Sequence, residues 1–319
     1  MKLHSLAISG LLNMNLHSLN NEGAEGNHLM TRQVQIVDEK GHLHSVNAIS
    51  GDMFKHIQAE YLFQLAKEEG LPLCQGCAVF DANRISADAE FANSFSEGAT
   101  NEEILHGVLR RCVLDDAEGI LITRKIGGKD RSIGRKSAVE FGWVVGHPER
   151  THTDSYFHVK FDNRARADGS GDEANLGQNI FHRPASSGQY AVVLNVDLYR
   201  LGLNDISREY ALSAAERKAR AQALLKSILF TFLKPSGAQR NTQNPHILAF
   251  EGAITLSHST YPAPQASALN LNYLSEIEGL VDTLNSLESG AVSLLKFDSL
   301  ASFASCMESI IGNFDLVGA

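Results

Sequence analysis

Several kinds of signal are missing from this 319-residue chain. No apolar run approaches the ~20 residues that span a bilayer, so no membrane association is expected. Cysteines number only four, too few at this length for a secreted disulfide framework, and a reducing cytoplasm is the expected setting. Histidines number 13, yet neither HExxH nor HxxxH occurs, and no G-x-S-x-G elbow occurs either. The glycine-bounded stretch Gly128–Ser137 misses the phosphate-binding P-loop. Five residues separate its glycines and Arg135 follows the second, so its amides would not converge on a phosphate. Basic residues almost vanish at the end. Residues 241–319 hold Lys296 alone against eight acidic groups, leaving 27 basic and 29 acidic residues in 1–240. The net charge of −9 is therefore mostly a property of the last quarter, and any nucleic-acid site must be a local track. Ile122–Lys136, with Arg124, Lys125, Lys129, Arg131, Arg135 and Lys136 against Asp130, is one candidate.

What is present reads as alternating strands and helices. Leu3–Leu12 alternates too well for a signal peptide and is expected to be a strand. Residues 20–27 are rich in Asn and Gly and predict a loop, and Val34, Ile36 and Val46 predict a hairpin around residues 39–42. Phe54, Ile57, Tyr61 and Leu65 recur at helical spacing from the Ser50-Gly51-Asp52 start to Gly70. Thr100 with Glu103, and Ser213 with Glu216, are capping boxes for helices running to about 116 and 233. Strands are expected at 119–125, around Trp143, after Gly188 and at 247–256, and helices at 273–287 and 298–311. Residues 147–188 are polar, partly aromatic and poor in aliphatics, which predicts a functional or disordered connection. There is no internal repeat. The central order, strand–helix–strand twice with insertions, fits the split βαβ or ferredoxin-like arrangement among others.

Catalytic and metal chemistry find little support. Cys74-x-x-Cys77 has half of a zinc-knuckle spacing, but Cys112 and Cys306 stand alone and far away, so the thiols are read as structural and no metal or cofactor is expected. His152 and His158 are read as surface contacts. Asp115 and Asp116 are neighbours on a helix and point about 100° apart, which argues against a carboxylate pair sharing a proton. No catalytic residue is assigned.

The polar features that remain share one chemistry. The 20–27 segment, the Ser50-Gly51 helix start with Lys55 and His56, the run Gln178–Arg183 and the run Lys234–Asn241 all offer amides or cations. Helix starts and glycine loops present free N–H groups to phosphates. Phe157, Phe161 and Phe181 are suited to stacking on bases. Alternatively, these are four unrelated solvated loops.

At these same residues the chain resembles a family. The stretches SLAISGLLNMNLHSLNNEGAEGN, VNAISGDMFKHIQAEYL, NLGQNIFHRPASSGQYAVVLNVDL and FLKPSGAQRNTQNPH, in this order, are similar to the DevR-type backbone subunit of CRISPR type I surveillance complexes (Cascade), nearest the I-B kind. The resemblance implies an α+β fold, a modified RRM/ferredoxin-like core with large insertions likened to palm, fingers and thumb. Residues 1–319 would form one such domain, with a helical insertion at about 71–118 and a thumb at about 147–185.

The implied function is non-catalytic. Copies of the subunit line up in a helical filament along one CRISPR guide RNA, leaving most bases free to pair with target DNA. A capping subunit, a large subunit and an RNA-processing subunit complete the complex. Carried over by position, Ser50, Lys55 and His56 would face the RNA backbone, with Asn21 in the loop after the first strand. Gln178, Phe181 and Arg183 would stand at the thumb's base, Arg164 and Arg166 on the thumb, and Lys234, Gln239 and Arg240 in the glycine loop. Related type III subunits cut RNA with an aspartate in the loop after the first strand. Here that loop has Glu22 and Glu25 instead, so no nuclease activity is expected. Two other roles are weighed: a transcriptional autoregulator binding promoter DNA, for which no helix-turn-helix is evident, and an RNA-processing endonuclease.

Overall fold

The computed structural model describes residues 1–161, 178–237 and 241–317. Its framework grows from the alternation in the first strand, β1 (Ser5–His17). Leu6, Ile8, Leu12 and Met14 point to one face, where all are fully buried, and Ser9 and Leu11 are buried on the other. A strand covered on both sides needs neighbours on both edges, and β1 sits inside a mixed helix-and-sheet α+β structure.

The remaining main strands are β2 (Asn21–Glu25), β3 (His28–Thr31), β4 (Gln33–Val37), β5 (Leu43–Ile49), β6 (Val144–Phe161), β7 (Gln178–Val196), β8 (His246–Ser257) and β9 (Val292–Phe297). Along the sheet the order is β9-β8-β1-β7-β6-β5-β4, with every neighbouring pair antiparallel. A short strand, Val139–Phe141, also pairs with β7. β2 and β3 form a hairpin where the sequence predicts a loop, because residues 21–25 pair back onto 28–31.

The helices are α1 (Gly51–Glu69), α2 (Gln75–Ala78), α3 (Ala89–Asn93), α4 (Asn101–Arg111), α5 (Val113–Glu118), α6 (Ala214–Leu233), α7 (Tyr273–Leu287) and α8 (Leu300–Gly312). α1, α6 and α8 close one face of the sheet. Phe54, Phe232 and Phe303 meet Phe250 and Phe297 there, with Phe232 and Phe250 ring centroids 4.9 Å apart. α7 covers the other face through Tyr273, Ile277 and Val281 against Leu11, Ala191 and Ala253. The helices of residues 75–118 join the first core through Phe91, Ile104, Leu105 and Val113. Asp116 ties them down, accepting from Arg135 Nη2 at 2.7 Å, Arg220 Nη1 at 2.8 Å and the Gly202 amide at 3.0 Å. Among the described residues, no helix is long and apolar enough to cross a membrane.

The described parts of the polar run, residues 147–161 and 178–188, are paired strand and not an irregular connection. β6 and β7 pair from Val145–Ala191 out to Phe161–Gln178, carrying the hairpin past the end of β1 at His17–Ser186. The departure occurs at a bulge. Gly188 has φ +148°, and a Cβ there would lie 2.2 Å from the Arg150 carbonyl, so no side chain fits.

Candidate nucleic-acid interface

The start of α1 is built by its own caps. Ser50 Oγ accepts from the Met53 amide, and the Ser50 amide donates to Asn20 Oδ1 at 2.8 Å. Gly51 is small because of the protein itself: a Cβ there would lie 2.4 Å from the Phe141 carbonyl. Lys55 is half-buried and donates to Ser137 Oγ at 2.8 Å. Burial holds its ammonium below the usual 10.5, with the buried Glu118 carboxylate opposing that shift. A lysine has three donors, and Lys55 still lines a cleft of about 390 Å³ with His56, Phe80, Asp81 and Arg84. His56 is exposed, its ring 5.6 Å from Phe80. Asp52 lines the same cleft.

The β2–β3 hairpin is a hub. Asn20, buried just before it, binds Ser50, and its carbonyl accepts from Thr31 Oγ1 and from the Arg32 amide. Asn21 opens β2 opposite Thr31. Leu19 sits so close to Gly237 that a Cβ there would lie 2.8 Å from the Leu19 carbonyl. The exposed Lys234 ends α6 on the same side, its carbonyl accepting from Tyr61 Oη at 2.7 Å. At the far end of the hub, His28 stacks on His182 at 4.1 Å.

His182 belongs to the outer β6–β7 hairpin, whose two faces carry different rings. On one face Phe181 stacks parallel to His158, and the Arg183 guanidinium lies 4.8 Å above the Phe181 ring. Arg183 also donates to Thr242 Oγ1 at 3.1 Å, and Gln243 Nε2 donates to the Pro184 carbonyl. A groove of about 310 Å³ runs between Tyr156, His158 and residues 242–246. On the other face Phe157, 66% exposed, meets the edge of His182. Gln178 opens β7 opposite Phe161. Arg164, Arg166, Gln239 and Arg240 lie outside the described residues.

The structure thus draws together Asn21, Ser50 and Lys234 around one hub, which meets the strand carrying Phe181 and Arg183 where His28 pairs with and stacks on His182. Lys55 and His56 lie one turn along α1, in the adjoining cleft. Sequence reasoning missed Arg32, whose guanidinium stands 5.3 Å from the ring of Trp143, the chain's single tryptophan. A lone, 42% exposed Trp beside an Arg is a signal that only the fold reveals.

Two sequence expectations change. The basic stretch 122–136 is not a continuous track. Arg124 donates to the Ser86 carbonyl, Arg131 to the Ala99 carbonyl and Asn101 Oδ1, and Arg135 is fully engaged inside, leaving Lys125, Lys129 and Lys136 exposed. Cys112 is not remote from Cys74 and Cys77. The ligand atoms of Cys74, Cys77, Cys112 and Asp115 all lie within 4.8 Å of one another. Asp115 and Asp116 do face different partners, thiols for one and arginines for the other.

Comparison with known proteins agrees with the sequence resemblance. The profile of the family described as CRISPR-associated negative auto-regulator DevR/Csa2 matches residues 8–278. No curated protein matches by sequence. Two similar solved structures are chains of a "CRISPR RNA-guided surveillance complex" and of one described as "pre-nicking". Each has a TM-score of 0.52 and 13% identity over 97% of this chain, covering 98% and 99% of its own. At that identity the likeness concerns the fold. The match over most of the sequence carries the assignment: this chain belongs to the DevR/Csa2 family of CRISPR-associated proteins.

Proposed function

We propose that the chain is a non-catalytic backbone subunit of a type I surveillance complex, of the I-B kind, that lines up in copies along a CRISPR guide RNA. The order β8-β1-β7 followed by Val139–Phe141, with α1 and α6 on one face, supports an RRM/ferredoxin-like core. Residues 71–118 and the β6–β7 hairpin are then insertions, a helical one and a thumb.

An unadorned core of this type could bind RNA on the face opposite its helices. Here α7 covers that face, so the guide runs instead along the edge marked by the β2–β3 hub. The observation that carries the reading is this convergence of four segments remote in sequence: an amide-rich turn, a helix start, a loop after α6, and a hairpin base with stacked rings. Cations and N–H donors hold phosphates, and rings separate or support bases. Arg164, Arg166, Gln178, Gln239 and Arg240 belong to the same proposed track. Target DNA is then reached through the guide, beside capping, large and RNA-processing subunits.

Gel filtration of the full chain with and without CRISPR RNA tests the reading. Several chains should co-elute with one guide RNA. A monomer unshifted by the RNA, or one shifted preferentially by promoter duplex, would overturn it.

A further inference from the structure

We propose that Cys74, Cys77, Cys112 and Asp115 bind one zinc ion that holds the helical segment after α1 in place. The proposal rests on side chains brought together by the fold and is independent of the guide-RNA reading.

The spacing fits a single tetrahedral ion. Cys74 Sγ and Cys77 Sγ lie 3.4 and 3.7 Å from Asp115 Oδ2. With Zn–S near ~2.3 Å and Zn–O near ~2.1 Å, neighbouring ligand atoms of a tetrahedron stand about 3.6–3.8 Å apart. All four ligand atoms fall within 4.8 Å of one another. An iron–sulfur cluster would hold its thiolates farther apart, around a cage rather than one ion. Magnesium and calcium take oxygen donors, whereas thiolates select zinc.

Local structure sets the donors. Cys74 caps the short α2, and its sulfur accepts from the Cys77 amide at 3.3 Å, a turn that places both sulfurs on one side. Cys112 occupies the extended joint between α4 and α5, and Asp115 follows on the first turn of α5. The second pair therefore has the same two-residue gap as the first, and it comes from another part of the segment.

Burial supplies a second, independent observation. All four residues are fully buried, and the three cysteines are free thiols. Asp115 Oδ1 has no hydrogen-bond partner among the described residues. A carboxylate buried among sulfurs with an orphaned oxygen is costly unless a cation meets it. A zinc ion removes that cost and converts binding energy into folding energy for a run of short helices. Cys77 and Leu114 also line the cleft that holds Lys55 and His56, so the ion fixes one of its walls.

Metal analysis of the full untagged chain by plasma mass spectrometry tests the site. About one zinc per chain is expected, with strong loss in Cys112→Ser and Asp115→Ala and no loss in Cys306→Ser, whose thiol lies away on α8. Variants that fail to fold are bypassed by a measurement on the unaltered protein. Zinc removed by chelation and replaced by cobalt should give thiolate charge-transfer absorption with intense tetrahedral ligand-field bands. Folded protein purified with only trace metal, or a cobalt spectrum without thiolate bands, would overturn the proposal. Full zinc retention in folded Cys112→Ser would do the same.

Discussion

Replacing Asp116 with Asn tests how the helical segment is held to the rest of the molecule. Its carboxylate is fully buried between two guanidiniums whose side chains are 0% and 2% exposed. Removing one member of such a buried pair typically costs ~3–5 kcal/mol, because the remaining charge is stranded. Here the lower end applies. Arg135 retains Asp205 at 3.0 Å and the Leu203 and Arg200 carbonyls, and Arg220 retains the Leu109 carbonyl at 2.7 Å. The expected loss is about 3 kcal/mol, against a total stability on the order of 5–15 kcal/mol. Asp116→Ala should cost more, since it also strips the acceptor from the Gly202 amide. Urea titration followed by circular dichroism should show a lower midpoint at unchanged slope. A loss below about 1 kcal/mol would mean that the arginines re-solvate or re-pair, and would refute the buried-charge reasoning.

Other outcomes follow from the same contacts. Burial against Tyr190 holds the His17 imidazole at about 4, below the ordinary 6.5. The folded state then resists protonation, so the stability His17 contributes is complete above pH 6.5 and is lost as pH falls toward 4. The loss is about 3 kcal/mol and should vanish from the pH–stability profile of His17→Leu; an identical acid slope would refute it. Lys55→Ala should weaken binding to all guide sequences alike and reduce the single-strand salt slope by about 0.7. An unchanged slope would confine Lys55 to its contact with Ser137. Phe181→Ala should lower guide-RNA affinity by about tenfold, since stacking contributes ~1–3 kcal/mol per base. Equal anisotropy titrations would put the ring outside the RNA path.

Much of the fold could be read in the sequence because its signals are local. Ser50 and Gly70 bound α1, Ser213 with Glu216 starts α6, and Tyr273–Leu287 forms a helix over the span its periodicity gives. The misreadings involve pairings and partners that composition does not mark, most of them distant in sequence. Residues 21–25 carry loop-like Asn and Gly, but pair as a strand with the nearby 28–31, which in turn meets β7 where His28 lies beside His182. Residues 147–161 look irregular because their partner, 178–188, is polar too, so no hydrophobic alternation marks either strand. Arg124, Arg131 and Arg135 read as a cationic track until the carbonyls and carboxylates that consume them are seen. Cys112 looks solitary because its partners precede it by more than thirty residues. For the site, the sequence indicates which residue types offer phosphate chemistry, but not that the β2–β3 hairpin joins them, nor that Arg32 and Trp143 stand alongside.

Ultraviolet cross-linking of the assembled chain to guide RNA, read by mass spectrometry, tests the central claim most directly. Cross-links should concentrate on peptides holding Asn21, His56, Phe181 and Lys234, and on the one with Trp143. Cross-links confined to α7 or to the acidic residues after 272 would contradict the account.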